Sequence, residues 1–234
     1  MVLMEYHQID NFLDSFADYS MLNQNGLEPI NTLDDLPRII RKYKRKITEA
    51  TEKQGFDKFS LDVSTEELLN IYSQVGTDEN YTHNIGLPNG DFYNLSWSIP
   101  KAEKIVKKHK LGPISFKINH IECCIAPGAV NKSSLDLDIV NEKPIFIVEL
   151  DERVFMERPP YIIIDGNHRL ACQSLRGDEE IKGYLLSKDI QHEAFLGELD
   201  LKLYQVQCNI HIIMDYLFNY ISKSEMKKRL IPIK

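Results

Sequence analysis

The chain has 234 residues, of which 43% are hydrophobic and 27% charged, and its 28 Lys and Arg against 35 Asp and Glu give a formal net charge of −7. These proportions exclude a chain that is disordered along its whole length, and the length is enough for one large domain or two small ones. No apolar run approaches the roughly 20 residues that span a bilayer, and Met1–Asp10 lacks the basic and apolar parts of a secretory signal. We therefore expect a cytoplasmic protein that does not enter a membrane.

The N-terminal region, residues 1–110, is predicted to be rich in helices. Its first helix is expected within residues 5–22, where four apolar residues recur at helical spacing: Phe12, Leu13, Phe16 and Tyr19. The Asn23–Gly26 stretch is expected to end that helix.

A strongly basic segment follows an acidic one. Residues 1–37 contain seven acids and no Lys or Arg, whereas six basic residues lie between Arg38 and Lys46. Apolar residues recur through the basic run at helical spacing, at Ile39, Ile40, Tyr43, Ile47 and Ala50. The pattern predicts an amphipathic helix whose outer face carries Arg38, Arg41, Lys42 and Arg45. Such a face can bind the phosphates of a nucleic acid, and the alternative is a solvated face that pairs with the acidic N-terminus.

The rest of the N-terminal region contains two further helix signals around a turn signal. A capping box at Ser64–Glu67 predicts a helix that ends at Gly76. The Asn89-Gly90 dipeptide is typical of a tight turn, and the alternating apolar residues after it predict a hairpin near residues 82–99. Pro100 is then expected to open a short helix.

The pattern changes from residue 111 onward to short apolar strands. Strands are predicted at Ile114–Ile121, Ile145–Leu150, Tyr161–Ile164 and Ile181–Leu186. A helix of about nine residues is predicted between the third and fourth of these strands, ending at Gly177.

The C-terminal stretch, residues 191–234, is predicted to be helical. Its part from Ile210 to Ile221 is apolar nearly all round, so we expect it to be buried. The overall expectation is an α+β protein in three consecutive regions: a helix-rich region at 1–110, a core with a small sheet at 111–190, and a helical tail at 191–234 that packs on the core.

The four cysteines, Cys123, Cys124, Cys172 and Cys208, do not have the spacing of zinc ligands. His120 and Cys123 could form one pair of ligands, but no second pair follows. We expect reduced thiols in or near a core, and no metal site.

The most informative segment runs from a buried strand through Asp165-Gly166 into a helix. Gly166 permits the positive φ of a tight turn, and Asp165 or Asn167 is expected to cap the helix. The first turn of a helix has unpaired N–H groups and the positive end of the helix dipole. His168 and Arg169 lie in that same turn, so the segment predicts an anion site, most naturally for phosphate.

The segment Asp165-Gly-Asn-His-Arg-Leu-Ala171 resembles the strand-to-helix turn of the ParB/sulfiredoxin superfamily, whose members commonly carry Asp-Gly-x-x-Arg or Gly-x-x-Arg there. The strands at Lys143–Leu150 and Ile181–Leu186 also fit the family's order, so the resemblance covers about residues 111–190. It implies a small mixed sheet with helices, in which this turn binds nucleotide phosphates. Activities in the superfamily include CTP hydrolysis, ATP-dependent reduction of sulfinic acid, phosphorylation of free serine and nuclease activity.

Two of these activities do not fit the residues present. Sulfiredoxins place a catalytic Cys where this chain has Asn167, so the nucleophile of sulfinic acid reduction is missing. Partition proteins carry Gly-Glu-Arg-Arg at the turn and a helix-turn-helix module after the core, for which residues 191–234 leave little room.

The leading hypothesis is therefore a nucleotide-binding enzyme of this fold that acts in phosphoryl transfer or NTP hydrolysis. Its cofactor would be ATP or another nucleotide, with Mg²⁺. Gly166, Asn167, His168 and Arg169 would bind the phosphates. An acid is needed to activate a hydroxyl or water or to hold the metal, and the candidate catalytic residues are Asp165, His168, Glu149 and Glu122.

Two alternatives remain open at the level of sequence. One is a nucleic-acid-binding protein or nuclease in which the same turn holds a backbone phosphate and the Arg38–Lys46 helix extends the contact. The other is a non-enzymatic interaction module, in which the segment is only a well-capped turn.

Overall fold

The computed structural model describes residues 2–4, 7–54, 59–61, 80–125, 130, 135, 142–151, 154–155 and 160–234. Its helices are α1 (Ile9–Ala17), α2 (Ser20–Gln24), α3 (Leu36–Gln54), α4 (Ile99–His109), α5 (Ile118–Ile121), α6 (Asn167–Arg176), α7 (Glu198–Leu217) and α8 (Lys223–Arg229). Its strands are β1 (Val2–Met4), β2 (Phe59–Leu61), β3 (Asn80–Gly86), β4 (Phe92–Ser98), β5 (Ile114–Lys117), β6 (Ile145–Glu149), β7 (Tyr161–Asp165) and β8 (Glu180–Leu186). Short 3-10 helices occupy Glu122–Cys124 and Gln191–Ala194. The predicted α+β class is confirmed, and the predicted helix at 64–76 lies outside the described residues.

The first predicted helix is in fact two helices. Tyr19 has φ +63°, a left-handed conformation that interrupts the helix between α1 and α2. The Asp18 side chain accepts a hydrogen bond from the Ser20 N–H at 2.9 Å, so a polar side chain stabilises the new start. The apolar spacing was correctly recognised, since Phe12, Leu13 and Phe16 are all buried.

The longest helices, α3 and α7, pack against each other. The inner face of α3 buries Leu36, Ile40, Tyr43, Ile47 and Ala50. The facing helix α7 buries Leu199, Leu203, Val206, Ile210 and Ile213. Apolar faces of this size supply the free energy of such a packing, at roughly 25 cal/mol per Å² of apolar surface removed from water.

A hairpin of β3 and β4 lies where the Asn89-Gly90 turn indicates one. Gly90 has φ +86°, and its N–H bonds the carbonyl of Leu87 at 3.0 Å. Trp97 of β4 is fully buried, and its indole N–H donates to Gln191 at 2.8 Å.

The main sheet has four strands in the order β5-β8-β6-β7. The central strands β6 and β8 are parallel, and each edge strand is antiparallel to its neighbour. The predicted first strand is shorter than expected, because the chain turns into α5 at Ile118.

Helices α5 and α6 cover one face of this sheet. Ile118 and Ile121 of α5 and Leu170 of α6 share a core with four strand residues: Ile145, Ile147, Ile163 and Ile181. This core holds α6 directly against the sheet, so the position of its first turn is set by β6 and β7.

The chain does not divide into the three consecutive regions that the sequence suggests. Contacts group the described residues that lie within 1–72, 83–95 and 197–234 into one compact unit, and those that lie within 73–82 and 96–196 into a second. The C-terminal stretch thus belongs with the N-terminal helices, because α7 completes the apolar core of α3. Among the described residues, no helix combines the length and the apolar character needed to cross a membrane.

Candidate phosphate-binding turn

The candidate site begins where β7 ends at Asp165 and α6 starts at Asn167. The residue between them, Gly166, has φ +98°. A Cβ atom at Gly166 would lie 2.4 Å from Cγ2 of Ile145 and 2.8 Å from Nη2 of Arg169. Glycine is therefore required here both for its conformation and for the close approach of a β6 side chain and a guanidinium.

The N-terminus of α6 has no side-chain cap, which corrects the expectation that Asp165 or Asn167 fills that role. The first bond inside the helix runs from the Leu170 N–H to the Gly166 carbonyl at 2.9 Å. The N–H groups that precede Leu170 thus lie in the uncapped first turn, where the helix dipole is positive. Both features favour an anion at this position.

Asp165 is paired with Arg169 instead. Arg169 Nη2 donates to Asp165 Oδ2 at 2.7 Å, and the two side chains are only 15% and 27% exposed. The pair holds the guanidinium over Gly166. Arg169 Nε is buried without a hydrogen-bond partner among the described residues, so one donor remains to be satisfied.

Asn167 anchors the start of α6 to the sheet. The residue is only 8% exposed, and its Nδ2 donates to the carbonyl of Ile163 in β7 at 3.0 Å. Its Oδ1 is buried and lacks a partner within the described part of the chain. The sequence predicts a phosphate-binding role for Asn167 and not this anchoring role, for which its position just after the strand is the only signal. The neighbouring His168 is exposed, as a residue that meets a ligand from solvent would be.

The structure does not bring the other two candidate acids to the turn. In the antiparallel pairing of β6 with β7, Glu149 lies opposite Tyr161, whereas Asp165 lies opposite Phe146. Tyr161 and Asp165 are four residues apart, roughly 13 Å along a strand. Glu149 accepts instead from the Lys188 N–H at 3.4 Å.

Glu122 is also remote from the turn. It accepts a hydrogen bond from the Ser174 hydroxyl at 2.6 Å. Ser174 follows Asn167 by seven residues, which is roughly 10 Å along a helix axis. Of the candidate catalytic residues, Asp165 and His168 therefore lie at the turn, and Glu149 and Glu122 do not.

A second candidate surface is the outer face of α3. Arg38, Arg41, Lys42 and Arg45 are all exposed on this face, where they lie around the half-buried Ile39. Arg38 has an acidic neighbour, Asp35, at 3.6 Å, and Arg45 has one, Glu49, at 3.5 Å. Arg41 and Lys42 have no acidic partner within the described ranges.

Among the other cations of α3, Lys44 pairs with the acidic N-terminus, as the alternative interpretation of the sequence proposes, whereas Lys46 pairs within the helix. Lys44 Nζ lies 2.8 Å from Asp14 and 4.0 Å from Asp10 of α1. Lys46 pairs with Glu49 at 2.8 Å, and this contact lowers the pKa of the Glu49 carboxyl. The acidic N-terminus therefore neutralises the edge of α3 but leaves its outer face basic.

No family model, curated protein or solved structure matches this chain. Within the described ranges, no three His, Cys, Asp or Glu side chains come together as metal ligands. The assignment of a function therefore depends on the geometry of the turn and of the α3 face.

Proposed function

We propose that residues 165–169 are the phosphate-binding turn of a nucleotide-dependent enzyme that acts in phosphoryl transfer or NTP hydrolysis. The observation that carries this proposal is the position of the Arg169 guanidinium next to Gly166, in the uncapped first turn of α6. A hydrogen bond of 2.7 Å from Arg169 Nη2 to Asp165 Oδ2 holds it there. A guanidinium and N–H groups that are already fixed in place lose little entropy when an anion binds, which favours phosphate recognition. The resemblance of this segment to the ParB/sulfiredoxin superfamily supports the same interpretation.

The charge of the pair favours a nucleotide that arrives with Mg²⁺. Asp165 and Arg169 together are formally neutral, so phosphate alone would meet an adjacent carboxylate as well as the guanidinium. A divalent cation would bind the carboxylate and offset its negative charge, while the Asp165–Arg169 bond keeps the guanidinium in place for phosphate oxygens. Asp165 would then hold the cation, and the exposed His168 would contact the phosphates.

Thermal-shift titration with ATP, ADP, CTP and GTP, each with and without Mg²⁺, tests this proposal. A nucleotide that binds only the folded chain raises its melting temperature. Arg169→Ala should weaken that binding by about 1.5–3 kcal/mol, or about 10- to 150-fold, the scale of a charge-assisted hydrogen bond.

Arg176→Ala is the matched control, because Arg176 lies on the same helix and also pairs with an aspartate, Asp178, at 2.9 Å. Nucleotide binding should survive this change. Equal affinity in the Arg169→Ala variant and the wild-type protein would contradict the proposal, as would a panel in which no nucleotide shifts the melting temperature.

A second candidate function, nucleic-acid binding, is favoured by the four exposed cations on the outer face of α3. Fluorescence anisotropy with single-stranded and double-stranded DNA at several salt concentrations tests it. The double variant Arg41→Ala/Lys42→Ala should lower the slope of log K against log salt by about one for each phosphate that the helix no longer neutralises.

The control for charge is Lys227→Ala/Lys228→Ala, which removes two exposed cations from α8. It should leave the salt slope unchanged. An equal reduction in both double variants would indicate nonspecific attraction, and a salt-independent affinity would exclude a phosphate contact at α3.

A further inference from the structure

Two adjacent cysteines, Cys123 and Cys124, are the central residues of a tight turn that follows α5, which we call the cysteine turn (residues 122–125). A hydrogen bond from the Ile125 N–H to the Glu122 carbonyl, 3.2 Å long, closes this turn. Both residues carry free thiols. A hydrogen bond also links the two thiols, so their sulfur atoms already lie beside each other.

The two thiols have different surroundings, and this gives them different reactivities. Cys124 is half-buried and packs against the core under the sheet. This burial, together with the charge and the hydrogen bond of Cys123, raises the pKa of the Cys124 thiol to about 12, so it keeps its proton at neutral pH. Cys123 is exposed, and its Sγ lies 3.8 Å from the carbonyl of His120, to which it donates. Cys123 is therefore the sulfur that a dissolved reagent meets first, and Cys124 is held next to it.

A disulfide between these two residues would be strained. Adjacent Cα atoms are roughly 3.8 Å apart across a trans peptide bond, whereas ordinary disulfides join Cα atoms that are roughly 4.4–6.8 Å apart. Closing the ring must therefore distort the peptide between Cys123 and Cys124, which is the centre of the cysteine turn. Strained disulfides have high reduction potentials and are readily reduced by other thiols, as reversible disulfides are.

The cysteine turn supports α6 through its first and last residues. Glu122 accepts a hydrogen bond from the Ser174 hydroxyl of α6 at 2.6 Å. Ile125, like Cys124, packs against the core to which Leu170 of α6 belongs. A distorted cysteine turn would move these groups, so α6 would lose part of its support on the side away from the sheet.

We propose that Cys123 and Cys124 form a redox-active dithiol that a hydroperoxide oxidises to a vicinal disulfide, and that this oxidation loosens α6. The Cys123 thiolate attacks the peroxide and breaks its O–O bond, which leaves a sulfenic acid on Cys123, and the thiol proton leaves with the alcohol. The Cys124 sulfur then displaces the hydroxyl group from Cys123 and forms the S–S bond, and the Cys124 proton leaves with that hydroxyl as water. In total the two thiols lose two hydrogens, and the peroxide is reduced to alcohol and water. This inference does not depend on the nucleotide-binding proposal.

Mass spectrometry of the full-length chain after treatment with tert-butyl hydroperoxide tests the oxidation. Trypsin cleaves after Lys117 and Lys132, so a single peptide, residues 118–132, contains both Cys123 and Cys124 and no other cysteine. After treatment and alkylation of the remaining thiols, this peptide should be unalkylated and lighter by two hydrogens than its reduced form. Glutathione added before the alkylation should restore two thiols that alkylate.

Single substitutions test the two roles. Cys124→Ser leaves Cys123 able to react, so its sulfenic acid should accumulate and be trapped by dimedone. Cys123→Ser should give neither the disulfide nor trapped sulfenic acid, because the remaining thiol is half-buried and protonated. The matched control, Cys172→Ser/Cys208→Ser, should form the vicinal disulfide as the wild-type chain does. If Cys124→Ser does not fold, Cys124→Ala replaces it.

Amide hydrogen exchange of the oxidised and reduced chains tests the effect on α6. Oxidation should accelerate exchange in α6 and leave α4 unchanged, and peroxide-treated Cys123→Ser should show no acceleration. The lighter peptide together with faster exchange in α6 supports the proposal.

Three results would overturn it. A treated peptide 118–132 that contains no disulfide excludes the dithiol as a redox site. Equal trapping of sulfenic acid in Cys123→Ser and Cys124→Ser excludes Cys123 as the reactive thiol. Unchanged exchange in α6 of a fully oxidised chain excludes the effect on that helix.

Discussion

At the scale of single residues, Gly166 is the position on which the candidate site depends most directly. Gly166→Ala would place a methyl group 2.4 Å from Ile145 and force alanine to φ +98°. Overpacking and backbone strain add, so we expect a loss of about 2–4 kcal/mol in the free energy of unfolding. Urea denaturation measures this loss.

Gly177→Ala separates the cost of backbone strain from the cost of overpacking. Gly177 also has a positive φ, +80°, but a Cβ there would meet nothing within 4 Å. Its substitution should therefore cost only about 1 kcal/mol, the backbone part alone. Equal losses at the two glycines would mean that the contact with Ile145 contributes nothing.

The residue types of the turn could be predicted from the sequence, but their partners could not. A strand that runs into Asp-Gly and a helix identifies Gly166 as the turn and places Arg169 beside it. The pairing of Asp165 with Arg169 and the bond from Asn167 to Ile163 depend on side-chain rotamers, which residue spacing does not determine. For the same reason the expected helix cap was wrong.

At the scale of secondary-structure elements, continuous apolar runs and glycine turns were sufficient for β6, β7, α6 and β8. The misses have local and long-range causes. Tyr19 takes a left-handed conformation that its residue type does not suggest. Glu149 and Asp165 are each the last residue of a strand. Because β6 and β7 are antiparallel, these two residues lie at opposite ends of the strand pair. Strand direction is set by long-range pairing, so the sequence alone could not predict whether Glu149 and Asp165 lie close together.

The contact between α3 and α7 should respond to pH through Tyr43. Burial raises the pKa of Tyr43 to about 12, whereas an unfolded tyrosine titrates near 10. Between those values the unfolded chain loses the proton first, so stability is complete below about pH 10 and falls by about 2–3 kcal/mol as the pH rises to about 12.

Tyr43→Phe should remove this alkaline slope. At neutral pH it should cost only about 1 kcal/mol, the worth of one hydrogen bond to Asn209. Unfolding in urea at pH 8 and at pH 11 measures both effects. An unchanged slope in the variant would assign the alkaline loss to other groups.

At the scale of the whole molecule, the two compact units are made from non-consecutive parts of the chain. The sequence predicted consecutive regions because periodicity shows which faces are apolar but not which faces meet. The contact of α3 with α7 joins residues that are more than 140 positions apart in the chain, and no local pattern contains it.

Since each unit has its own buried core, a cavity in one core should loosen that unit first. Leu203 of α7 and Ile163 of β7 are both fully buried and lie in different units. Leu203→Ala and Ile163→Ala should each cost about 2–5 kcal/mol, the usual cost of a large-to-small change in a core.

Amide hydrogen exchange followed by mass spectrometry shows which helices and strands each substitution destabilises. Leu203→Ala should accelerate exchange in α3 and α7 before the β5-β8-β6-β7 sheet, and Ile163→Ala should show the reverse order. The two variants have the same kind of change, so their comparison cancels the general effect of lower stability. If both variants accelerate exchange equally in all elements, the two units open together. A ligand at the turn of α6 would then slow exchange in α3 as strongly as in the sheet. If the orders differ as expected, protection by nucleotide should be confined to the unit that contains residues 165–169.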